Sequence, residues 1–212
     1  VIGRVTDDGQ YLLKHHGQVV CDIPVKTLTD DRGLAKNDLK ALDLTADDVV
    51  VGIAASGRTP YVIGGLEYAQ SIGAKTASLA CNLDAEISEY ADFPIEVDCG
   101  PEFLTGSTRL KAGTAQKLIL NMISTISMIK IGKVYNNLMV DVRPTNEKLV
   151  ERSKRIIMQA TDCNYELAEQ KFTEAGQNVK LAIVMILTNC SAKAGLEKLQ
   201  QADGFVKDTL DN

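Results

Sequence analysis

The sequence contains 212 residues, of which 45% are hydrophobic and 24% are charged, and its formal net charge is −5 at pH 7. These values are typical of a globular protein, exclude disordered and fibrous classes, and argue against a nucleic-acid binder, which needs a basic surface to neutralise phosphates. No run approaches the roughly 18 consecutive apolar residues of a membrane span and no signal peptide pattern is present, so we expect a cytoplasmic protein without a membrane partner.

Helical and strand patterns alternate through the first half of the chain, after short β segments within residues 1–23. The predicted elements are a helix over 30–42, a strand over 47–54, a helix over 60–72, a strand over 75–81, a short helix over 85–90 and a strand over 93–99. The first of these strands is a near-continuous apolar run, which is typical of a parallel strand buried on both faces. The order predicts an α/β fold with a parallel sheet and helices on both faces.

The second half of the chain predicts helices. A long helix over residues 109–131 has one apolar face, which we expect to pack into the core. That face carries Ala115, Leu118, Ile119, Met122, Ile126 and Ile129. Further helices are predicted over residues 147–160, 164–175, 179–189 and 192–210. These last helices resemble the three-helix ubiquitin-associated (UBA) fold.

A polar loop follows the first buried strand and precedes a helix. It contains Ser56, Gly57, Arg58 and Thr59, followed by Pro60. Hydroxyls, a glycine that permits close backbone approach and the free N–H groups of a helix start favour binding of an anion such as phosphate. The alternative is that Ser56 or Thr59 only caps the helix.

A second polar segment, residues 100–117, follows the third strand and opens the long helix. It contains the hydroxyls of Thr105, Ser107 and Thr108, the cations Arg109 and Lys111, and the carboxylate of Glu102. Such a set suits a phosphorylated, hydroxyl-rich ligand such as a sugar phosphate. Glu102 could bind a sugar hydroxyl or exchange a proton, or else form an ion pair with Arg109 or Lys111. The segment is neither a Walker A loop nor a dinucleotide fingerprint.

The cysteines and histidines offer little for metal binding or nucleophilic catalysis. The five cysteines are odd in number and have no CxxC pair, so we expect free thiols rather than disulfides or a zinc site. They are Cys21, Cys81, Cys99, Cys163 and Cys190. The adjacent His15 and His16 are expected in a solvated loop, because neighbouring residues on a strand point to opposite faces.

Three motifs of the sequence are longer than a loop or a cap requires. They are Gly52-Ile-Ala-Ala-Ser-Gly-Arg-Thr-Pro-Tyr61, Gly100-Pro-Glu-x-x-Thr-Gly-Ser-Thr-Arg-x-Lys-Ala-Gly-Thr-Ala-x-Lys117 and Asn137-Leu-Met-Val-Asp-Val-x-x-x-Asn-Glu-Lys148. Together they resemble the N-acetylmuramic acid 6-phosphate etherase family, within the wider sugar isomerase (SIS) family that also contains the glucokinase regulatory protein. The resemblance covers roughly residues 30–212. It implies a SIS-type three-layer α/β sandwich with a parallel sheet, a homodimer, and release of D-lactate from N-acetylmuramic acid 6-phosphate in peptidoglycan recycling.

The resemblance also assigns roles to residues. The amino-sugar 6-phosphate is expected to bind through Ser56, Gly57, Arg58, Thr59, Ser107 and Thr108, with Glu102 on the sugar and Lys111 near the phosphate charge. In the open-chain sugar the C2 proton is α to the C1 aldehyde, so a carboxylate can remove it, lactate can leave from C3 and water can add. No metal or redox cofactor is required for these steps.

The acid/base glutamates of the etherases are not found in this sequence. One is expected beside an upstream phosphate loop, and counting back without gaps places the other on Thr29, which cannot act as a carboxylate base. The catalytic residues are therefore unassigned. A non-catalytic sugar-phosphate-binding regulatory protein, an inactive etherase fragment and an aldose-ketose isomerase are the alternatives.

Three segments are predicted. Residues 1–24 are unplaced. Residues 25–150 form the SIS sugar-phosphate-binding domain, with its N-terminal part missing or diverged, and residues 151–212 form a helical domain.

Overall fold

A computed structural model of the chain describes residues 4–5, 11–12 and 30–210. The chain divides into two compact units, Val1–Asn121 and Met122–Asn212. The first contains β1 (Arg4–Val5), β2 (Tyr11–Leu12), α1 (Arg32–Ala41), β3 (Val49–Ile53), α2 (Pro60–Ser71), β4 (Lys75–Ala80), a 3₁₀ turn (Glu86–Tyr90), β5 (Phe93–Glu96) and the start of α3 (Lys111–Lys130). Each predicted element between residues 30 and 99 is present, although the short helix over 85–90 is a 3₁₀ turn.

The parallel sheet predicted from the element order is confirmed. Its strands lie in the order β3-β4-β5, with Val51 beside Ala77 and Ala77 beside Phe93. The N–H of Val97 donates to the carbonyl oxygen of Ala80 at 3.1 Å. Successive backbone N–H groups of a strand point to alternate sides, so residue 94 would direct an N–H away from β4. Proline has no N–H at this position. The proline therefore interrupts no hydrogen bond of the sheet.

Helices α1 and α2 pack closely at a glycine. A Cβ atom at Gly64 would lie 2.0 Å from the carbonyl oxygen of Arg32, so only glycine allows the two backbones to approach. Both helices enclose the core of the first unit, together with the sheet and the 3₁₀ turn. Its fully buried side chains include Leu39, Ile63, Leu66 and Ile87.

Helix α3 (Lys111–Lys130) departs from expectation. The apolar face that we expected in the core is largely exposed, and Ala112 is the buried residue of the helix. The exposed fractions are 51% for Leu118, 54% for Met122, 56% for Ile126 and 46% for Ile129. The expectation of core packing is therefore wrong within the described residues. Periodicity identifies an apolar face, but it does not say what covers that face.

The second unit contains the hairpin β6 (Val134–Tyr135) and β7 (Leu138–Met139), followed by α4 (Glu147–Thr161), α5 (Tyr165–Glu174), α6 (Val179–Leu187), α7 (Ala192–Gln201) and a 3₁₀ turn (Lys207–Thr209). The first three predicted helices are confirmed, and the fourth, predicted over residues 192–210, ends at Gln201. Each begins at a side chain that accepts a hydrogen bond from the N–H three residues on, and these caps are Asn146, Asn164, Asn178 and Ser191. Their apolar faces enclose a core that includes Ile157, Phe172 and Ile183.

In the described part of the chain, no single helix has both the length and the apolar composition to cross a membrane. Helices α6 and α7 reach that composition only as a pair, and they are bent by 101° relative to each other.

Candidate functional site

The two polar loops lie at the carboxyl ends of the outer strands of the three-stranded sheet. The first loop, residues 54–59, follows β3, and the second loop, residues 97–110, follows β5. Since β4 lies between these strands, its own carboxyl end adjoins both loops. Ligands of open parallel sheets bind at this edge.

The first loop turns at Gly57, which has a φ of +70°. A Cβ atom at this position would also lie 2.5 Å from the Cβ of Ala85, so glycine is required both for the backbone conformation and for the space. The carbonyl oxygen of Gly57 accepts from the N–H of Ile87 at 2.9 Å. Gly57 is thereby buried, whereas its neighbours Ser56 and Arg58 are exposed and reach solvent at the edge of the sheet.

Thr59 precedes the first residue of α2. Its carbonyl oxygen accepts from the N–H groups of Val62 and Ile63 at 3.0 and 3.1 Å, which starts the helix. Its side chain makes no capping hydrogen bond. Capping alone therefore does not explain the hydroxyl, which lies beside the positive end of the helix dipole.

The second loop orders its polar side chains by internal hydrogen bonds. The N–H of Ser107 donates to the carbonyl oxygen of Leu104 at 3.1 Å, across Gly106, which has a φ of +84°. The Ser107 hydroxyl accepts from Nε of Arg109 at 2.9 Å. Thr105, Thr108, Arg109 and Lys111 are all exposed. A hydroxyl and a guanidinium thus stand together directly before α3.

The carboxylate of Glu102 caps α3. Its Oε2 accepts from the N–H of Lys111 at 3.0 Å, and its Oε1 accepts from the N–H of Ala112 at 3.1 Å. These hydrogen bonds, and less strongly the charge of Lys111, hold the pKa of Glu102 below its usual value of 4.5. The side chain is therefore an ionised group with a fixed orientation, and each oxygen keeps a lone pair for a further donor.

Cys81 and Asn82, at the end of β4, both contact the first loop, and Cys81 also contacts the start of α3. The N–H of Cys81 donates to the carbonyl oxygen of Ala55 at 3.1 Å, and Nδ2 of Asn82 donates to that of Ser56 at 3.1 Å. The thiol of Cys81 donates to the carbonyl oxygen of Ala112 at 3.6 Å. The end of β4 thus holds the first loop through both residues and the start of α3 through Cys81.

Glu96, the last residue of β5, stabilises the backbone next to the first loop. Its carboxylate accepts from the hydroxyl of Ser88 at 2.6 Å and from the N–H groups of Asp84 and Ala85 at 2.9 Å each. The hydrogen bond from Ser88, followed by that from Ala85, lowers the pKa of Glu96. The carboxylate thereby fixes the backbone at Ala85, against which Gly57 packs.

Sequence reasoning did not identify Cys81, Asn82 or Glu96 as part of this edge. Asn82 could have been found, since it immediately follows the middle strand of a predicted parallel sheet. Nothing in the sequence around Glu96 indicates that its carboxylate receives three hydrogen bonds.

Some predicted residues lie outside the described part of the chain. They are Thr29, His15, His16 and Cys21, so their predicted roles are not tested. The other four cysteines carry free thiols, as expected. Within the described residues, no group of three or more histidine, cysteine, aspartate or glutamate side chains is arranged to hold a metal ion.

Comparison with known proteins gives a family and a set of close relatives. The model of a family described as the SIS domain matches residues 7–126, more than half of the chain. The N-acetylmuramic acid 6-phosphate etherase 2 of Enterococcus faecalis is 68% identical over 92% of this chain and 66% of its own length. The N-acetylmuramic acid 6-phosphate etherase of Lactococcus lactis subsp. lactis is 72% identical over 92% of this chain and 65% of its own length.

A relative from Bacillus cereus, also named N-acetylmuramic acid 6-phosphate etherase, is 64% identical over 88% of this chain and 63% of its own length. The chain thus spans slightly less than two thirds of the length of these curated relatives. Their names describe the longer proteins.

Proposed function

The chain belongs to the SIS domain family, and on this premise we propose that it binds an amino-sugar 6-phosphate at the carboxyl edge of its parallel sheet. We propose further that it acts as an N-acetylmuramic acid 6-phosphate etherase, which releases D-lactate and forms N-acetylglucosamine 6-phosphate. The observation that carries the proposal is the attachment of the first loop and of the start of α3 to the end of β4. Cys81 and Asn82 bond to the first loop and the Cys81 thiol bonds to Ala112, so hydroxyls, cations and two helix starts lie at one edge. The close relatives named as etherases support the reaction.

The first loop is proposed to hold the phosphate. Ser56 and Thr59 offer hydroxyls, and the Arg58 side chain supplies positive charge. Gly57, whose N–H donates to the carbonyl oxygen of Ala54, allows the turn between Ser56 and Arg58. A phosphate at this point would lie at the start of α2, where the helix dipole stabilises negative charge.

The second loop is proposed to complete the ligand site. Ser107 and Thr108 donate hydroxyl hydrogen bonds, and Lys111 contributes charge. Glu102, held by α3, accepts a sugar hydroxyl through its remaining lone pairs. Because its pKa is lowered, Glu102 is a weak base, and we assign it to binding rather than to removal of the C2 proton.

The reaction needs a base for the C2 proton and an acid for the departing lactate. The first step leaves the electron pair of the C2–H bond conjugated with the C1 aldehyde, the C3–O bond then breaks to release lactate, and water adds. We assign neither role to a described carboxylate. The role proposed for the described residues is to bind the phosphate and the sugar. Such binding fixes C2 and C3 of the sugar relative to the catalytic groups.

A homodimer in the cytoplasm is the proposed form of the protein. The exposed apolar face of α3 is large for a surface helix and suits burial against a second copy. The free thiols of the described cysteines are in keeping with a reducing compartment. Helices α4 to α7 are proposed to include a UBA-like three-helix arrangement.

A non-catalytic sugar-phosphate-binding protein is the second candidate. The lowered pKa of Glu102 favours it, because the carboxylate nearest the proposed sugar is a poor proton acceptor. The two candidates share the binding site and differ in whether lactate is released.

The test is D-lactate release from N-acetylmuramic acid 6-phosphate by the 212-residue chain, measured in a coupled assay with the Enterococcus faecalis relative as positive control. Release would establish the etherase. Absence of release from folded chain that binds N-acetylglucosamine 6-phosphate would favour the non-catalytic candidate. A folded chain that neither binds nor releases would contradict both.

A further inference from the structure

Arg32, the first residue of α1, contacts the 3₁₀ turn Glu86–Tyr90 at both of its ends, and the proposed ligand site does not use it. Its Nη2 donates to Oε1 of Glu86 at 3.3 Å. Its guanidinium also lies over the ring of Tyr90, with Cζ 5.8 Å from the ring centroid. An ion pair and a cation–π contact are both attractive, so one side chain holds the turn at two points.

The backbone of Arg32 lies directly against α2. A Cβ atom at Gly64 would approach the Arg32 carbonyl oxygen to 2.0 Å, so the two helices are in backbone contact at this residue. Nη1 of Arg32 also donates to Oε1 of Glu67, on α2, at 3.3 Å. The planar guanidinium presents several donors in a fixed arrangement, so it can bond to two carboxylates at once. Arg32 therefore connects the 3₁₀ turn with α2 through two separate ion pairs.

The same turn contacts Gly57 of the first loop. Ala85 and Ile87 stand on either side of Glu86 in the chain, and both are buried. The N–H of Ile87 donates to the carbonyl oxygen of Gly57 at 2.9 Å. An added Cβ atom at Gly57 would lie 2.5 Å from the Cβ of Ala85, so no space separates the loop from this part of the chain. A shift of the turn at Glu86 therefore displaces Gly57 as well.

We propose that Arg32 is a positioning residue for the phosphate site. Through Glu86 it holds the 3₁₀ turn, and through the turn it holds Gly57 and the first loop in the conformation that binds the ligand. The apparent affinity of a site falls with the fraction of molecules that have the competent conformation, so loss of this contact should weaken binding. The effect on affinity rests on the proposed function, whereas the coupling of Arg32 to Gly57 does not.

Glu67 provides a matched control for Glu86. The two ion pairs of Arg32 have the same length of 3.3 Å, and the side chains of Glu67 and Glu86 are 43% and 48% exposed. Exposed pairs contribute little, so Glu67→Gln and Glu86→Gln should lower the overall stability by similar small amounts. Each substitution also removes one negative charge, so the general attraction of an anion increases in both variants. Of the two pairs, the one with Glu86 reaches the turn, and a difference between the variants therefore reports positioning.

Hydrogen exchange of the ligand-free chain tests the coupling. The amide proton of Ile87 should exchange about twofold to fivefold faster in Glu86→Gln than in Glu67→Gln, as expected for loss of one exposed ion pair. The amide proton of Leu66, in α2, should exchange equally in both variants. Arg32→Gln should accelerate exchange at Ile87 at least as much as Glu86→Gln, and adding Glu86→Gln to it should have no further effect, because both break the same pair. Equal exchange at Ile87 in the two glutamate variants, or additive effects of Arg32→Gln and Glu86→Gln, would overturn the coupling.

Calorimetry with N-acetylglucosamine 6-phosphate tests the consequence for the ligand. Glu86→Gln should bind at least about twofold more weakly than Glu67→Gln. Equal affinities of the two variants, despite faster exchange at Ile87, would contradict a role of Arg32 at the phosphate site. If the unsubstituted chain does not bind the sugar phosphate, the proposed function fails, and the exchange result still decides whether Arg32 holds the first loop. The two failures are thereby distinguishable.

Discussion

Asn82 holds the backbone of Ser56, since its side-chain amide donates to the Ser56 carbonyl oxygen at 3.1 Å. This contact couples the end of β4 to the loop that carries the proposed phosphate ligands. Asn82→Ala should lower the affinity for N-acetylglucosamine 6-phosphate by about 3- to 10-fold, as expected for one exposed hydrogen bond. Calorimetry measures the affinity, and Asn137→Ala, in the β6–β7 hairpin, is the matched control. If both variants and the unsubstituted chain bind the sugar phosphate with equal affinity, Asn82 does not contribute to the site.

The proposed ligand hydroxyls are tested together. Ser56→Ala combined with Ser107→Ala removes one hydroxyl from each loop and should abolish detectable binding of the sugar phosphate. Both side chains reach solvent at least in part, so the thermal midpoint should change little. Calorimetry and a thermal melt of the same sample separate loss of binding from loss of fold. Unchanged affinity would refute the site.

Gly57 and Gly106 give a matched pair of substitutions. Both have a positive φ, which costs about 1 kcal/mol for alanine. At Gly57 an added Cβ would also lie 2.5 Å from the Cβ of Ala85, whereas at Gly106 no atom lies within 4 Å of it. Gly57→Ala should therefore lower the free energy of unfolding clearly more than Gly106→Ala in urea titrations. Equal decreases in the free energy of unfolding would show that the structure accommodates the contact with Ala85 without destabilisation.

Stability should fall in acid through Glu96. Its folded-state pKa lies below the usual 4.5, so its contribution is present above about pH 4.5 and is lost as the pH falls through the lowered value. Glu96→Gln should make the free energy of unfolding less dependent on pH in this range. Glu89→Gln is the control, since it removes the same charge from an exposed position of the 3₁₀ turn. Identical pH profiles for the two variants would contradict this role of Glu96.

The exposed face of α3 predicts the oligomeric state. Ile126→Glu places a charge in the middle of this face and should shift the chain from dimer to monomer in light scattering. Asn121→Glu, at an exposed polar position of the same helix, should leave the mass unchanged. A chain that is monomeric before substitution would contradict the proposed dimer.

The sequence predicted the elements well where local patterns decide them. The apolar run at residues 49–53 and the helix start at Pro60 carry their own signals. The β6–β7 hairpin was missed because its strands have two residues each, too few for a period to show. The face of α3 was misjudged because burial depends on a partner surface that helical spacing does not describe.

The candidate site was predicted less completely than the fold. The hydroxyl side chains and glycines of the two loops could be identified from the amino-acid composition of these segments. The capping of α3 by Glu102 depends on two backbone N–H groups nine and ten residues away, and only the folded loop brings them to the carboxylate. The thiol contact of Cys81 with Ala112 spans 31 residues and is likewise invisible in the sequence.

Pro94 has a consequence for how this sheet meets other chains. A strand that pairs on one side offers its remaining N–H groups to any extended segment that arrives, and such templating leads to sheet extension and aggregation. Among the described strands β5 pairs with β4 alone, and the N–H that Pro94 lacks would face away from β4, so this side of the four-residue strand has an interrupted row of donors. Addition of another strand beside β5 is thereby disfavoured. Self-association of the chain is then expected through contacts between side chains rather than through backbone hydrogen bonds.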